Sequence, residues 1–215
     1  MAITIVDYGL GNLKSVCKAF AYLGADAHLT PDPEVVRSAE ALVLPGVGAF
    51  GRGMENLRRQ GLDVATREAA ASGTPLLGIC LGLQLLFESS EEAPGVDGLG
   101  VLRGTCLRFS GPQFESGELK SPHMGWNSLN LWGRSRVLEG VDSGDMAYFV
   151  HSFYPVPSDS GVVAATTTHG VEFCSVAEAG SIYACQFHPE KSGKTGMRIL
   201  TNFVRIANDG NHSGG

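Results

Sequence analysis

Pro75-Leu-Leu-Gly-Ile-Cys80-Leu-Gly-Leu-Gln84 is the stretch on which the fold turns. Pro75–Ile79 is a short apolar run of the kind buried on both faces of a parallel sheet. Residues 81–88 then carry a helical pattern, so the segment predicts a strand that passes into a helix at Cys80. Gly78 and Gly82 flank the cysteine, where a sharp strand-to-helix turn has no room for a side chain. This is the nucleophile-elbow pattern with Cys in place of Ser. Such a turn lifts the thiol out at the end of the sheet. The start of the following helix favours negative charge there, and the NH of Leu81 can point at an oxyanion. The competing reading is a buried structural cysteine at a glycine-rich turn.

Outward from this segment, the first half of the chain alternates strand and helix patterns. Ile3–Asp7 is a β-branched run broken by Tyr8-Gly-Leu-Gly11. Asn12 is placed to cap a helix carrying Leu13, Val16, Cys17, Phe20 and Leu23, which Gly24 ends. Ala41–Leu44 is a second apolar run, stopped by Pro45-Gly46. Residues 52–71 read as helix with a break near Gly61. The second half holds short alternating segments near 101–109, 147–150, 161–168, 172–177 and 182–187, then a helix over about 194–207. The pattern predicts one α/β domain over 1–207: a sandwich with a mostly parallel central sheet, flanking helices and an antiparallel extension. A polar tail, 208–215, is expected to fray. Ligands in such sheets collect beyond the carboxyl ends of the strands.

Composition narrows the classes. At 215 residues the core needs no metal or disulfide support. A net charge of −6 without any Lys/Arg run argues against nucleic-acid binding. No apolar run is long enough to span a bilayer. Ala2–Val6 followed by Asp7 has neither the basic region nor the cleavage site of a signal peptide. The five cysteines (17, 80, 106, 174 and 185) are odd in number and scattered, with no zinc-like spacing. A reduced, cytoplasmic chain without metal or cofactor is expected. Of the cysteines, Cys17, Cys174 and Cys185 read as core.

A thiol nucleophile needs a histidine, and the histidine needs a group to orient it. His28, His169 and His212 fall in strand-end, turn or tail contexts and are expected to face solvent. His188 ends the run 182–187 and precedes Pro189 and Glu190. Proline biases the residue before it to an extended conformation, in which positions i and i+2 share a side. Glu190 can then fix the imidazole tautomer. Alone, this would read as a surface His and Glu at a strand end; beside the Cys80 elbow it reads as base and orienter.

Gly78-Ile-Cys80-Leu-Gly82-Leu-Gln84 together with His188-Pro-Glu190 resembles the class I glutamine amidotransferases. Leu44-Pro45-Gly46-Val47-Gly48-Ala49-Phe50, Asp7-Tyr-Gly-Leu-Gly-Asn12, His123-Met-Gly-Trp126-Asn127 and Tyr148-Phe-Val-His151-Ser152-Phe153 are similar to segments of the glutaminase subunits of imidazole glycerol phosphate synthases. The resemblance runs to about Ala207. It implies that ammonia freed from glutamine passes to a (β/α)8-barrel cyclase subunit, the partner in a heterodimer. There it would yield imidazole glycerol phosphate and an aminoimidazole-carboxamide ribonucleotide in histidine biosynthesis. It further implies that Gly46, Val47 and Gly48 carry oxyanion donors, and that Gln84 with the backbone around Ser152 and Phe153 holds glutamine. Asn12, Trp126, Tyr148 and Lys191 match positions near the subunit junction. Gln84 could instead be a half-buried helix residue, Trp126 a core aromatic and Lys191 a solvated lysine.

Val47 suggests a switch. Glycine on both sides lets the local peptide flip, whereas Val itself resists positive φ. The oxyanion donor could then be misaligned at rest and corrected when the partner holds its substrate. Rival readings are a glutaminase subunit of another pathway (anthranilate, aminodeoxychorismate or pyridoxal phosphate synthesis), a thiol peptidase or γ-glutamyl hydrolase, and a binding module without catalysis. Pro45-Gly-Val-Gly48 and Trp126-Asn127 argue against the first, and the intact Cys80, His188 and Glu190 against the last.

Overall fold

The computed structural model of the chain describes residues 2–210. Its first half runs β1 (Ala2–Val6), α1 (Leu13–Tyr22), β2 (Asp26–Thr30), α2 (Pro33–Arg37), β3 (Leu42–Gly46), α3 (Phe50–Arg59), α4 (Leu62–Ala71), β4 (Leu76–Cys80) and α5 (Leu81–Leu85). The second half is strand-rich: β5 (Ser89–Ser90), β6 (Gly104–Arg108), a short α6 (Pro112–Glu115), β7 (His123–Ser128), β8 (Asn130–Leu131), β9 (Met146–His151) and β10 (Phe153–Pro157). β11 (Val163–His169), β12 (Val171–Ala179), β13 (Ile182–Cys185) and α7 (Gly193–Gly210) complete it. The main sheet has the order β2-β1-β3-β4-β13-β12-β11-β8. From β2 to β13 neighbouring strands pair in parallel; β12, β11 and β8 extend the sheet antiparallel. Two small sheets, β10-β6-β5 and β7-β9, cap the extension.

Continuous apolar strands in the middle of the sheet have both faces covered. Ile3, Ile5, Val43, Leu77 and Ile79 pack with Val16 and Phe20 of α1 and with Ile199, Leu200 and Phe203 of α7. Alternate residues Leu42, Leu44 and Leu76 pack on the other face with Phe50, Met54, Leu57, Leu62 and Ala65 of α3 and α4. The period of two along each strand thus feeds two cores. Gly61, at φ 70°, is the left-handed break between α3 and α4.

Four local expectations change. The helix after Cys80 stops at Leu85, because residues 86–88 turn back toward β5. Asn12 does not cap a backbone NH; its Oδ1 instead accepts from Ser15 Oγ at 2.9 Å. β2 and α2 are additional elements, and Asp32 caps α2 by accepting from Glu34 N at 2.9 Å with Pro33 in the first turn. The last helix continues through Gly210, so residues 208–210 extend α7, and Asp209 pairs with Arg136. His212 and the rest of the polar segment lie outside the described residues. Among the described residues, no helix is long and apolar enough to cross a membrane.

Candidate active site

The centre of the sheet brings three segments to one edge. β4 ends at Cys80, and its neighbour β3 ends level with it, Gly46 pairing with Cys80. On the other side β13 pairs Cys185 with Ile79, and the chain continues from β13 to His188. The nucleophile candidate therefore sits between the oxyanion segment and the base candidate, beyond the carboxyl ends of the strands.

Cys80 has φ 55° and ψ −107°, and it is the only non-glycine residue with positive φ among the described residues. Strain of this kind costs about 1–3 kcal/mol and persists only where the surroundings enforce it. The surroundings here are glycine contacts. A Cβ on Gly82 would lie 1.7 Å from Leu44 O, one on Gly78 2.8 Å from Leu86 Cδ1, and one on Gly46 2.2 Å from the Tyr8 hydroxyl. With only five residues in α5, the NH groups of its first turn matter here more than a long helix dipole.

His188 is extended, at φ −97° and ψ 98°, as the following proline requires. Residues Pro189–Lys191 form a 3-10 turn, so Glu190 reaches back through a turn rather than by strand alternation. The contact itself is as expected: His188 Nδ1 donates to Glu190 Oε1 at 2.9 Å, with both side chains buried. Glu190 Oε2 and His188 Nε2 are buried without a hydrogen-bond partner among the described residues. Burial pulls the His188 pKa down. The negative charge available at Cys80 and the Glu190 carboxylate outweigh it and raise the value to about 9. Cys80 acts on the ring as a facing charge, since Nε2 makes no hydrogen bond that meets ordinary geometric limits. Ser192 Oγ donates to His188 O at 2.7 Å and accepts from Tyr148 N at 2.9 Å, tying the histidine to β9.

A cavity of about 250 Å³ opens onto these groups. Its wall contains Cys80, His188, Val47, Gly48, Leu81, Gln84, Ser152 and Phe153, all singled out in the sequence. It also contains Val150 and His151 of the quoted Tyr148–Phe153 segment, and Glu92 and Pro122, which the sequence pattern does not mark. Gln84 is buried, and its Nε2 donates to Phe153 O at 2.9 Å and to Gln186 Oε1 at 3.0 Å. What Gln84 can offer a ligand is therefore its acceptor, Oε1. Glu92 accepts from Phe50 N at 2.7 Å and brings a carboxylate to the wall. The Ser152 carbonyl is taken up by Phe109 N at 3.1 Å.

A histidine chain sets the backbone at 151–153. Asn127 Nδ2 donates to Thr168 O at 2.9 Å, which identifies it as the amide nitrogen, and the same atom lies 3.2 Å from His123 Nε2. His123 therefore accepts at Nε2 and carries its proton on Nδ1, which donates to His151 Nε2 at 3.0 Å. His151 in turn donates from Nδ1 to Phe153 O at 2.8 Å. Both rings are neutral in this arrangement. Burial, then the charge of His169, pushes His123 down to about 4. Burial likewise carries His151 down to about 3. His169 is half-exposed: its ring stacks on His123 at 4.2 Å, and its Nε2 lies 2.9 Å from Lys120 O. His28 is exposed on β2. Cys106, Cys174 and Cys185 are buried and their thiols pushed up by burial, while Cys17 is half-buried.

The expected junction residues share the same end of the molecule. Trp126 is 53% exposed and faces Tyr148 across the β7–β9 pair, with ring centroids 6.0 Å apart, so the core reading of Trp126 falls away. Met124 and Met146 extend this apolar face. Lys191 is exposed and forms no salt bridge among the described residues. Asn12, at the start of α1, follows Gly11, whose Cα neighbourhood includes Gly46. The two glycines around Val47 are not equivalent. Gly46 is pinned between Tyr8 and Leu81, whereas Gly48 has φ 108° and open space around it. A side chain would find room at Gly48 but not at Gly46.

With the site in place, comparisons with known proteins give one direction. The family described as "Glutamine amidotransferase class-I" matches residues 4–207. The imidazole glycerol phosphate synthase subunit HisH of Syntrophotalea carbinolica is 50% identical over 202 residues, covering 94% of this chain and 98% of that protein. HisH of Geobacillus kaustophilus is 49% identical over 205 residues, covering 95% and 97%. Among solved structures, a putative GMP synthase protein from Thermoplasma acidophilum superposes with a TM-score of 0.74 at 19% identity, covering 99% and 96% of the two chains. A glutamine amidotransferase superposes with the same score at 22% identity, covering 95% and 98%. At these identities the structures speak for the fold alone.

Proposed function

The chain belongs to the HisH family of class I glutamine amidotransferases, the glutaminase subunits of imidazole glycerol phosphate synthase, and from that premise we propose how its residues carry the reaction. The activity is glutamine hydrolysis, with the ammonia transferred to the cyclase subunit in histidine biosynthesis. The observation that carries the assignment of roles is the strained Cys80 elbow, which opens onto the same small cavity as the buried His188–Glu190 pair.

Cys80 thiolate attacks the side-chain carboxamide carbon of glutamine. Its electron pair forms the S–C bond, and the carbonyl π pair moves to oxygen. That oxyanion is met by the NH of Leu81 and by NH groups of the Gly46–Gly48 segment. Loss of one such donor costs about 2.7–4 kcal/mol of barrier. Imidazolium His188 then protonates the departing nitrogen as the C–N bond breaks, releasing ammonia and leaving a γ-glutamyl thioester. Neutral His188 next takes a proton from water, hydroxide attacks the thioester carbon, and glutamate leaves as the thiolate re-forms. Glu190 holds the ring in one tautomer and faces the positive charge. The Glu92 carboxylate and Gln84 Oε1 suit the α-ammonium of glutamine, since both accept hydrogen bonds. The backbone at Ser152 and Phe153 closes the other side of the cavity.

The partner of this reading is a (β/α)8-barrel cyclase, docked as a heterodimer on the face that carries Asn12, Trp126, Tyr148 and Lys191. Aromatic residues concentrate at such junctions, and Lys191 supplies a charge that forms no salt bridge among the described residues. Docking with nucleotide bound rotates the Gly46–Val47 peptide so that the Val47 NH faces the oxyanion, and the open side at Gly48 takes up the change. Residues 1–207 act as one domain, and five free cysteines fit a cytoplasmic setting.

An electrophilic diazo-ketone analogue of glutamine tests the assignment. Peptide mapping is expected to find the adduct on Cys80, with glutamine protecting. An adduct on another cysteine, or none, would remove Cys80 from its role.

A further inference from the structure

Gln186 lies between β13 and the base His188, with its side chain fully buried. None of the roles above uses it. Its orientation follows from a single carbonyl. Phe153 O can only accept, so the Gln84 atom 2.9 Å from it is the amide nitrogen. That nitrogen also lies 3.0 Å from Gln186, whose facing atom must then be the acceptor Oε1. Gln186 Nε2 is thereby turned to Cys80, 3.8 Å from Sγ, with a donor aimed at sulfur. The main chain is fixed as well, because Gln186 N donates to Ser175 O at 2.9 Å on β12.

Cys80 Sγ has a second polar neighbour, the Val150 carbonyl at 4.0 Å. A carbonyl can accept from a thiol but repels a thiolate; an amide N–H does the reverse. The two groups therefore sort the ionisation states of sulfur by direction. We infer that Gln186 is a positioning residue for the nucleophile: its carboxamide N–H holds the Cys80 thiolate away from Val150 O, while its Oε1 keeps Gln84 turned so that Gln84 Oε1 faces the substrate. From Gln84 Nε2 one donation goes to Phe153 O and the other passes through Gln186 to Cys80. Together they couple the backbone that lines the glutamine cavity to the reacting atom.

The inference rests on Cys80 being the nucleophile, so Cys80→Ala accompanies each measurement. Gln186→Met keeps the volume and removes both amide functions. In the complex with the cyclase, kcat for glutamate release is expected to fall about 10-fold to 100-fold, the range for a hydrogen bond to a charged group. Carbamidomethylation of Cys80 by iodoacetamide, followed on the Cys80 peptide, is expected to slow by a similar factor at pH 7.5, with its pH profile displaced to the alkaline side. Packing alone would not move that profile. Gln186→Glu preserves the shape and the acceptor for Gln84 Nε2 but has no N–H, and as a carboxylate it offers sulfur no donor at all. It is expected to lose alkylation rate while KM for glutamine stays within about twofold of wild type, and it decides the matter if the methionine variant fails to fold. Unchanged alkylation in a folded variant overturns the inference, as does a rise in KM with kcat intact. Activity retained by Cys80→Ala would instead overturn the nucleophile assignment beneath it.

Discussion

Gly82→Ala tests whether close packing at the elbow makes the site. The new Cβ would sit 1.7 Å from Leu44 O and 2.8 Å from Leu44 C. Real Cβ atoms essentially never come within 3.0 Å of such atoms, so the two elements must separate by 3.0 − 1.7 = 1.3 Å. Both partners are backbone, so no side-chain rotation relieves the clash. Overpacking costs about 1–3 kcal/mol where neighbours can adjust, and here the upper end applies. At roughly 2–4 °C per kcal/mol for a chain of this size, Tm falls by about 6–12 °C. The separation moves Leu81 away from the segment that follows Leu44, which divides the oxyanion donors. A misplacement of about 1 Å costs ~10²-fold in rate. Calorimetry and glutamate release by the complex are the assays, with Gly51→Ala as control, because a Cβ there meets only Ala93 Cβ at 3.1 Å. Gly82→Ala with wild-type turnover and melting would refute the reasoning that glycine contacts hold the elbow.

Glu190→Gln removes the carboxylate that helps to keep His188 charged up to about 9. The proton that His188 must deliver is present below that value and lost above it, so the alkaline limb of kcat/KM, near 9 in wild type, should move down by about 1–3 pH units; a limb that stays in place contradicts the pairing. The same raised pKa contributes stability that is present below the ordinary histidine value near 6.5 and lost as pH rises through about 9. Val47→Pro deletes the NH at the switch. Partner-stimulated turnover should be lost while glutamine binding, measured by calorimetry, is mostly kept; unchanged turnover would end the switch proposal. Trp126→Ala should weaken binding to the cyclase by at least 2 kcal/mol, about 30-fold, if it is an interface anchor, with unaltered melting of the isolated chain because the side chain is exposed.

What the sequence could show was local. Gly78-Ile-Cys80-Leu-Gly82 places the proposed nucleophile and both close contacts within one turn, and His188-Pro-Glu190 holds the proposed base and orienter two positions apart. The parallel half of the sheet was legible because its apolar runs are buried on both faces. β2 was not, since Asp26–Thr30 is a largely exposed edge strand with no apolar run. The start of α2 could have been read, because Asp32-Pro33 is a cap followed by a first-turn proline. Gln186 and Glu92 carry no local signal. They meet Cys80, Gln84 and the cavity only through folding, over separations such as the 106 residues between Gln186 and Cys80. The contacts of His169 were missed for the same reason: its partners, His123 and Lys120, lie on segments far back in the chain.

The most direct test of the whole account is glutamate release from glutamine by this protein alone, then with a cyclase partner and its nucleotide ligand, with Cys80→Ala alongside. The account predicts low activity alone, a large rise when partner and nucleotide are both present, and none from Cys80→Ala. High activity that ignores the partner would contradict the Val47 switch and the coupling to a cyclase, and activity in Cys80→Ala would contradict the chemistry itself.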